Sequence, residues 1–136
     1  MSAQLSLIAS AFDVWLGSLG LPGDTVYEGV VYQPQNGRPY FSARMAAYTR
    51  QPQGTGPNAA YLESGTYQVN VNRPLGEGLQ PARAAADSLA ASLARGTMLA
   101  LGNGGSVTVQ NVAAGPAIEA GAWVSVPVSF SWFALS

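Results

Sequence analysis

Gly65-Thr66-Tyr67-Gln68-Val69-Asn70-Val71-Asn72 alternates strictly between apolar and polar side chains. Tyr67, Val69 and Val71 fall on one face, while Thr66, Gln68, Asn70 and Asn72 fall on the other. A period of two is the signature of a β-strand with one face against a core. The polar face carries amides and a hydroxyl but no charge. The rest of the chain resolves into elements that could pair with this segment or cover it.

Upstream, residues 39–49 also alternate. Phe41, Ala43, Met45 and Ala47 share one face, with Tyr40, Ser42, Arg44 and Tyr48 on the other. Residues 26–33 read as a short strand ending in the turn Pro34-Gln35-Asn36-Gly37. Between these strands and the central one, residues 50–63 are rich in Gly, Pro and Gln and read as a long loop, of the kind that carries function. Near the N-terminus, Leu5, Ile8, Phe12, Trp15, Leu16 and Leu19 recur at the three-and-four spacing of a helix over 3–19. Ser2 suits its N-cap, and Gly20 with Pro22-Gly23 its end.

Downstream, Arg73-Pro74-Leu75-Gly76-Glu77-Gly78 forms a turn into a second helix over 81–95. Ala82, Ala85, Ala86, Leu89 and Leu93 are its buried stripe, Arg83 and Asp87 an i,i+4 pair, and Gly96 its stop. Residues 98–101 and 106–112 read as a hairpin around Gly102-Asn103-Gly104-Gly105. Val124, Val126, Val128, Phe130 and Trp132 alternate with Ser125, Pro127, Ser129 and Ser131 in a last strand. Pro127 cannot donate to a ladder, which predicts an edge or a bulge there. The fold class is α+β: a single, mostly antiparallel or mixed sheet with two helices packed on one face, in one domain spanning residues 1–136.

The 136 residues include only 10% charged ones and 48% hydrophobic ones, against about 25% charged in an ordinary soluble domain. A surface built from Ser, Thr, Asn, Gln and Gly is cheap to desolvate, which suits a protein that partners cover. There is no Lys; the cations are Arg38, Arg44, Arg50, Arg73, Arg83 and Arg95, and the net charge is −1. Scattered arginines argue against sequence-specific nucleic-acid binding. The chain has no Cys and no His, which removes disulfides, thiolate chemistry and the commonest general base and metal ligand. No basic leader, and no run of about 18 apolar residues, points to secretion or to a membrane. The expectation is a product made and kept in the cytoplasm.

No enzyme signature emerges. The carboxylates Asp13, Asp24, Glu28, Glu63, Glu77, Asp87 and Glu119 are dispersed, and a glycosidase-like pair such as Glu63 with Glu77 has no support from spacing. The Gly-rich segments lack the Lys of a phosphate loop or the third glycine of a dinucleotide fingerprint, and read as turns. No catalytic, metal or cofactor-binding residue is assigned, and no cofactor is expected. The candidate contact residues lie on the uncharged sheet face, namely Tyr40, Arg44, Tyr48, Gln68, Asn70 and Asn72, with Ser42, Thr108 and Gln110 beside them. Gln53, Thr55 and Asn58 join them from the 50–63 loop. Tyr and Arg favour protein interfaces, and this face lacks Lys and Glu.

Three segments in order resemble the tail terminators of phages with long, non-contractile tails. They are Gly37-Arg38-Pro39-Tyr40; then Gly65-Thr66-Tyr67-Gln68-Val69-Asn70-Val71 running into Pro74-Leu75-Gly76-Glu77-Gly78; then Ala86-Asp87-Ser88-Leu89 leading to Arg95-Gly96-Thr97, with a closing Trp123-Val124-Ser125-Val126-Pro127-Val128 strand. The resemblance covers nearly the whole chain. It implies a structural virion protein that forms a homo-hexameric ring, caps the tail tube, stops its polymerisation and presents a head-joining surface. The implied partners are the chain itself, the major tail tube protein and the head–tail connector or neck protein, with no membrane. The implied place is the head-proximal end of the tail, after assembly in the host cytoplasm. Two other readings stay open: a head-completion or neck joining protein, and a small-molecule-binding enzyme.

Overall fold

The computed structural model describes residues 4–35, 37–57 and 59–135. Helix α1 spans Gln4–Ser18 and α2 spans Gln80–Ala91. The strands are β1 (Asp24–Val26), β2 (Tyr40–Pro52), β3 (Tyr61–Pro74), β4 (Met98–Ala100), β5 (Ser106–Ala114), β6 (Ile118–Ala120) and β7 (Trp123–Leu135). A short 3-10 turn at Leu75–Glu77 leads from β3 towards α2. All strands join one sheet in the order β1-β2-β3-β7-β5-β4, with β6 also beside β7. Only β1 and β2 run parallel; every other pairing is antiparallel.

The central pair is β3 with β7, in register from Leu62 opposite Leu135 to Pro74 opposite Trp123. Both strands alternate in phase, so Tyr67, Val69 and Val71 share a face with Val126, Val128 and Phe130, and all six are buried. From the helices, Ile8, Phe12, Leu16, Ala82, Ala86 and Leu89 belong to the same buried cluster. The Phe12 ring stacks on Tyr67 at 4.7 Å and 16°, and Trp15 meets Phe130 edge-on at 5.2 Å. Tyr67 also donates its hydroxyl to Asp13 Oδ1 at 2.6 Å, tying α1 to the middle of the sheet. The helix ends as read: Leu19 begins a turn and Gly20 takes φ +64°, the left-handed region that glycine occupies without strain. Its expected N-cap, Ser2, lies outside the described residues.

Several expectations are corrected. The strand expected over 26–33 is replaced by the three-residue β1 followed by a loop. Val30 N–H bonds back to Tyr27 O at 3.1 Å, and Val30 and Val31 point to solvent, so this segment satisfies itself locally. The long loop expected over 50–63 is largely hairpin. Strand β2 runs on to Pro52 and β3 begins at Tyr61, pairing Arg50 with Glu63 and Pro52 with Tyr61. Here β2 is an edge strand, because β1 covers it only at 40–42, and an edge tolerates proline. Only residues 53–60 remain as the connecting tip.

Helix α2 stops about a turn before the expected Arg95. Ser92 turns its hydroxyl back onto Leu89 O at 2.6 Å, a local bond that competes with further helix. Gly96 then gives its N–H to Val109 O at 2.7 Å, so the chain there already belongs to the sheet. Ion pairs form at Arg38–Asp24 and Arg73–Glu77 rather than between Arg83 and Asp87.

Pro127 sits within the central strand β7, neither at an edge nor at a bulge, opposite Asn70. Its carbonyl accepts from Gly115 N–H at 2.7 Å, so its missing N–H faces the 115–117 crossover between β5 and β6. The ladder with β3 loses nothing. By contrast the 98–100/106–114 hairpin is as read.

Burial, and then the hydrogen bond to Asp13, push the Tyr67 phenol well above its usual range. In the unfolded chain the same phenol ionises near pH 10. Below that pH its contribution to stability is fully present. Above it the native state keeps a proton that the unfolded state loses, and stability falls by about 1.4 kcal/mol per pH unit for this group. Denaturation followed from pH 9 to 11.5 should show this fall, and Tyr67→Phe should make the slope shallower by that amount; an unchanged slope contradicts the assignment.

Candidate functional site

On the face of β3 that the core does not use stand Thr66, Gln68, Asn70 and Asn72. The register places Ser131, Ser129, Pro127 and Ser125 of β7 opposite them. On the other flank Asn72 faces Tyr40, Asn70 faces Ser42, and Gln68 faces Arg44. The result is a strip three strands wide, made of hydroxyls and carboxamides, with Arg44 exposed at its rim.

These groups bond to one another. Gln68 Nε2 donates to Asn70 Oδ1 at 2.8 Å, and Thr49 and Ser64 share a hydrogen bond of 3.0 Å. Asn72 is the best connected: Nδ2 donates to Ser42 Oγ and to Asn70 O, each at 3.2 Å, and Oδ1 accepts from Ser125. With 5% of its surface exposed, Asn72 is an internal bracket across three strands, with almost no surface left to meet a partner. Tyr40 lies beside it and meets the Trp123 ring edge-on at 5.3 Å and Tyr32 at 5.0 Å, closing that end of the strip with aromatic surface.

Tyr48 does not lie on this face. A bulge between Met45 and Ala47 inserts one residue into β2, so Met45 faces Tyr67 while Ala47 faces Thr66. One extra residue reverses every side chain beyond it. Ala47 therefore turns outward and Tyr48 inward, where its hydroxyl donates to Glu63 Oε1 at 2.5 Å and its ring lies 6.2 Å from Trp132. Glu63 is fully buried, and its Oε2 has no partner among the described residues. Burial first, then Glu63, raises the Tyr48 phenol above its usual value. Gly65, between them in space, has no room for a side chain: a Cβ would lie 2.2 Å from Ala47 O and 2.8 Å from Trp132 Cζ2.

Gln53 and Thr55 are exposed at the hairpin tip, away from the strip, and Asn58 lies outside the described residues. The hairpin is held by Gln53 N–H to Ala60 O at 2.8 Å and by the Arg50 guanidinium 3.7 Å above the Tyr61 ring. Thr108 faces outward on β5, whereas Gln110 sits at a second bulge, between Val109 and Asn111. Ser125, Ser129 and Ser131 were not among the expected contact residues, although their alternation with Val126, Val128 and Phe130 was visible in sequence. Nothing local in that alternation says that β7 lies next to β3.

The strip holds no constellation for catalysis. Glu63 lies near the start of β3 and Glu77 in the 3-10 turn beyond its far end, where Arg73 engages it at 3.0 Å. Among the described residues no group of three or more Asp, Glu, His or Cys could hold a metal ion, and no helix is long and apolar enough to cross a membrane.

A family model described as phage tail terminator protein matches residues 7–132. The chain belongs to the phage tail terminator family. The family is a structural one, and as a member this protein is a structural component of a phage tail that works in contact with other virion proteins. No curated protein sequence matches it. Among solved structures, one whose name states no function is 25% identical, with a TM-score of 0.72, covering 100% of this terminator-family chain and 97% of the other. A chain from the virion of a native gene transfer agent particle shares the fold at 16% identity and a TM-score of 0.59, with 100% of both chains covered.

Tyr48→Phe should leave both oxygens of the buried Glu63 without a partner. The expected cost is about 1–3 kcal/mol in denaturant unfolding, the penalty of orphaning a buried acceptor. Thr49→Ala, next in sequence but exposed, should change stability by less than about 0.5 kcal/mol. Equal effects from the two would show that the Tyr48–Glu63 bond contributes nothing.

Proposed function

We propose that this protein is the terminator subunit itself: a single domain whose copies form a ring, hexameric by family resemblance, on the head-proximal end of the tail tube. The ring stops polymerisation of the major tail tube protein and offers its far side to the head–tail connector. In this reading the two helices cover the inner face of the sheet and leave the outer strip free for a neighbour. Arg44, Gln68 and Asn70 make the contact from the strip, and Gln53 and Thr55 make it from the hairpin tip.

The observation that carries this reading is the strip on β2, β3 and β7. Many of its hydroxyls and amides are bonded to each other, so covering them strands few groups, and Arg44 at the rim is the ion of the strip that a neighbour must pair or leave wet. An end cap needs such a surface on one side and, on the other, one that the tube subunit cannot continue.

The double substitution Gln68→Glu with Asn70→Glu separates a contact from a wet face. In the free subunit both positions are half-buried; losing their mutual hydrogen bond and setting two carboxylates side by side, offset in part by Arg44, costs about 1–2 kcal/mol in all. Buried under a neighbour, an unpaired carboxylate costs several kcal/mol. The variant should stay folded, melting only several degrees below the wild type, yet give overlong tails unjoined to heads when it replaces the wild type in an infection. Normal tails of normal length would remove the strip from the contact.

A further inference from the structure

Helix α1 is apolar on more than its core side. Ile8, Phe12 and Leu16 are buried, but Leu7, Ala11, Val14 and Trp15 form a second flank, and Val14 is 70% exposed. That flank and the edge strand β4 bound an open groove of about 470 Å³, lined on the strand side by Leu99 and Ala100. Among the described residues no charged side chain lines it. The helix contains a single charged residue, Asp13, and that carboxylate is turned inward to Tyr67. Leu7, Ala11 and Trp15 rest partly on the core, while Val14 stands clear of it, so the flank keeps an uncharged apolar rim open to a partner.

The opposite edge of the sheet carries the complementary shape. After β1, the loop over 27–35 displays Val30 at 60% and Val31 at 92% exposure. From Gly29 to Gly37 the sequence has no charged residue. The loop is held rigidly: Glu28 Oε1 accepts Met45 N–H at 3.0 Å, Tyr32 donates to Asp24 Oδ2 at 2.8 Å, and Arg38 clamps the same carboxylate at 2.9 Å. Two exposed valines on a fixed loop form a preorganised knob, which keeps the entropy cost of docking low.

We propose that Val30 and Val31 of one copy dock in the α1/β4 groove of the next, so that subunits join head to tail through opposite sheet edges. The occupant is a second copy of this chain. Knob and groove are matched in their lack of charge, so neither desolvates an ion, and they lie at opposite edges, β1 and β4, of one sheet. A contact between two different patches of the same subunit closes into a ring when its rotation allows. This inference rests on the ring reading above and names the surfaces that build the ring.

The chain has no cysteine, so introduced thiols report a contact directly. Val14→Cys and Val31→Cys, both at exposed sites, are purified separately, mixed and mildly oxidised; the double variant is also carried into particles. A disulfide requires Cα atoms within about 7 Å, so a contact that seats the knob in the groove links the two introduced thiols to each other faster than collision links either thiol to its own kind. The mixture should give the mixed dimer well in excess of either homodimer, and particles with the double variant should give a ladder of linked oligomers. The particle arm decides if the free protein is monomeric. Particles that hold many copies but show no Val14–Val31 link would overturn the pairing and leave the ring standing. In particles carrying Val31→Cys alone, a linked dimer as abundant as the Val14–Val31 product would mean a symmetric contact and would also overturn it. One copy per particle would remove the ring, and this contact with it.

Discussion

From Leu62 opposite Leu135 to Pro74 opposite Trp123, β3 and β7 lie side by side without a shift in register. The other layers of the molecule are placed by that pairing. Because the two strands alternate in phase, one face gathers Tyr67, Val69, Val71, Val126, Val128 and Phe130, and the other gathers Gln68, Asn70, Ser129 and Ser131. The apolar face gives α1 its seat, with Phe12 stacked on Tyr67 and Trp15 against Phe130. The polar face gives the strip. A slip of one residue would exchange the two faces and destroy both. Asn72, bonded to Ser42, Asn70 and Ser125, bridges β2, β3 and β7 at one end and opposes such a slip.

The irregularities lie on the strands that flank this pair. Strand β2 is bulged between Met45 and Ala47, and β5 between Val109 and Asn111. On the β2 side the consequence is a change of partners: Tyr48 leaves the polar face and joins Glu63 and Trp132. Gly65 makes this possible, since any side chain there would strike the Ala47 carbonyl and the Trp132 ring. Bulges increase local twist and bend the strand that carries them, whereas the central pair runs without one.

Much of this was legible in sequence, and the misses share a cause. Periodicity identified both helices, β3, the β4–β5 hairpin and β7, because each carries its own apolar pattern. It misplaced Tyr48 because Ala46 and Ala47 are equally small, so the alternation gives no sign of the inserted residue. The segment from Val26 to Gln33 has the composition of a strand, but beyond Val26 its hydrogen bonds are local or come from side chains, which composition does not encode. Pro127 was read as an edge signal, whereas its lost donor faces the crossover after β5, a fact of tertiary structure alone. For the strip, the polar halves of β2 and β3 were visible separately. That Ser125, Ser129 and Ser131 complete it required knowing which strand lies beside β3.

The low charge of the chain is then of one piece with a tail protein. Water around the free subunit meets mostly hydroxyls, amides and exposed apolar side chains, with charges such as Arg83, Asp87, Arg95 and Glu119 scattered among them. The most direct measurement is an electron-microscopy map of the intact particle at side-chain detail. The account predicts this chain at the head-proximal end of the tail, with Gln68 and Asn70 against a neighbouring subunit. A map in which that face of β3 looks onto solvent, in a subunit that is otherwise fully built into the tail, would contradict it.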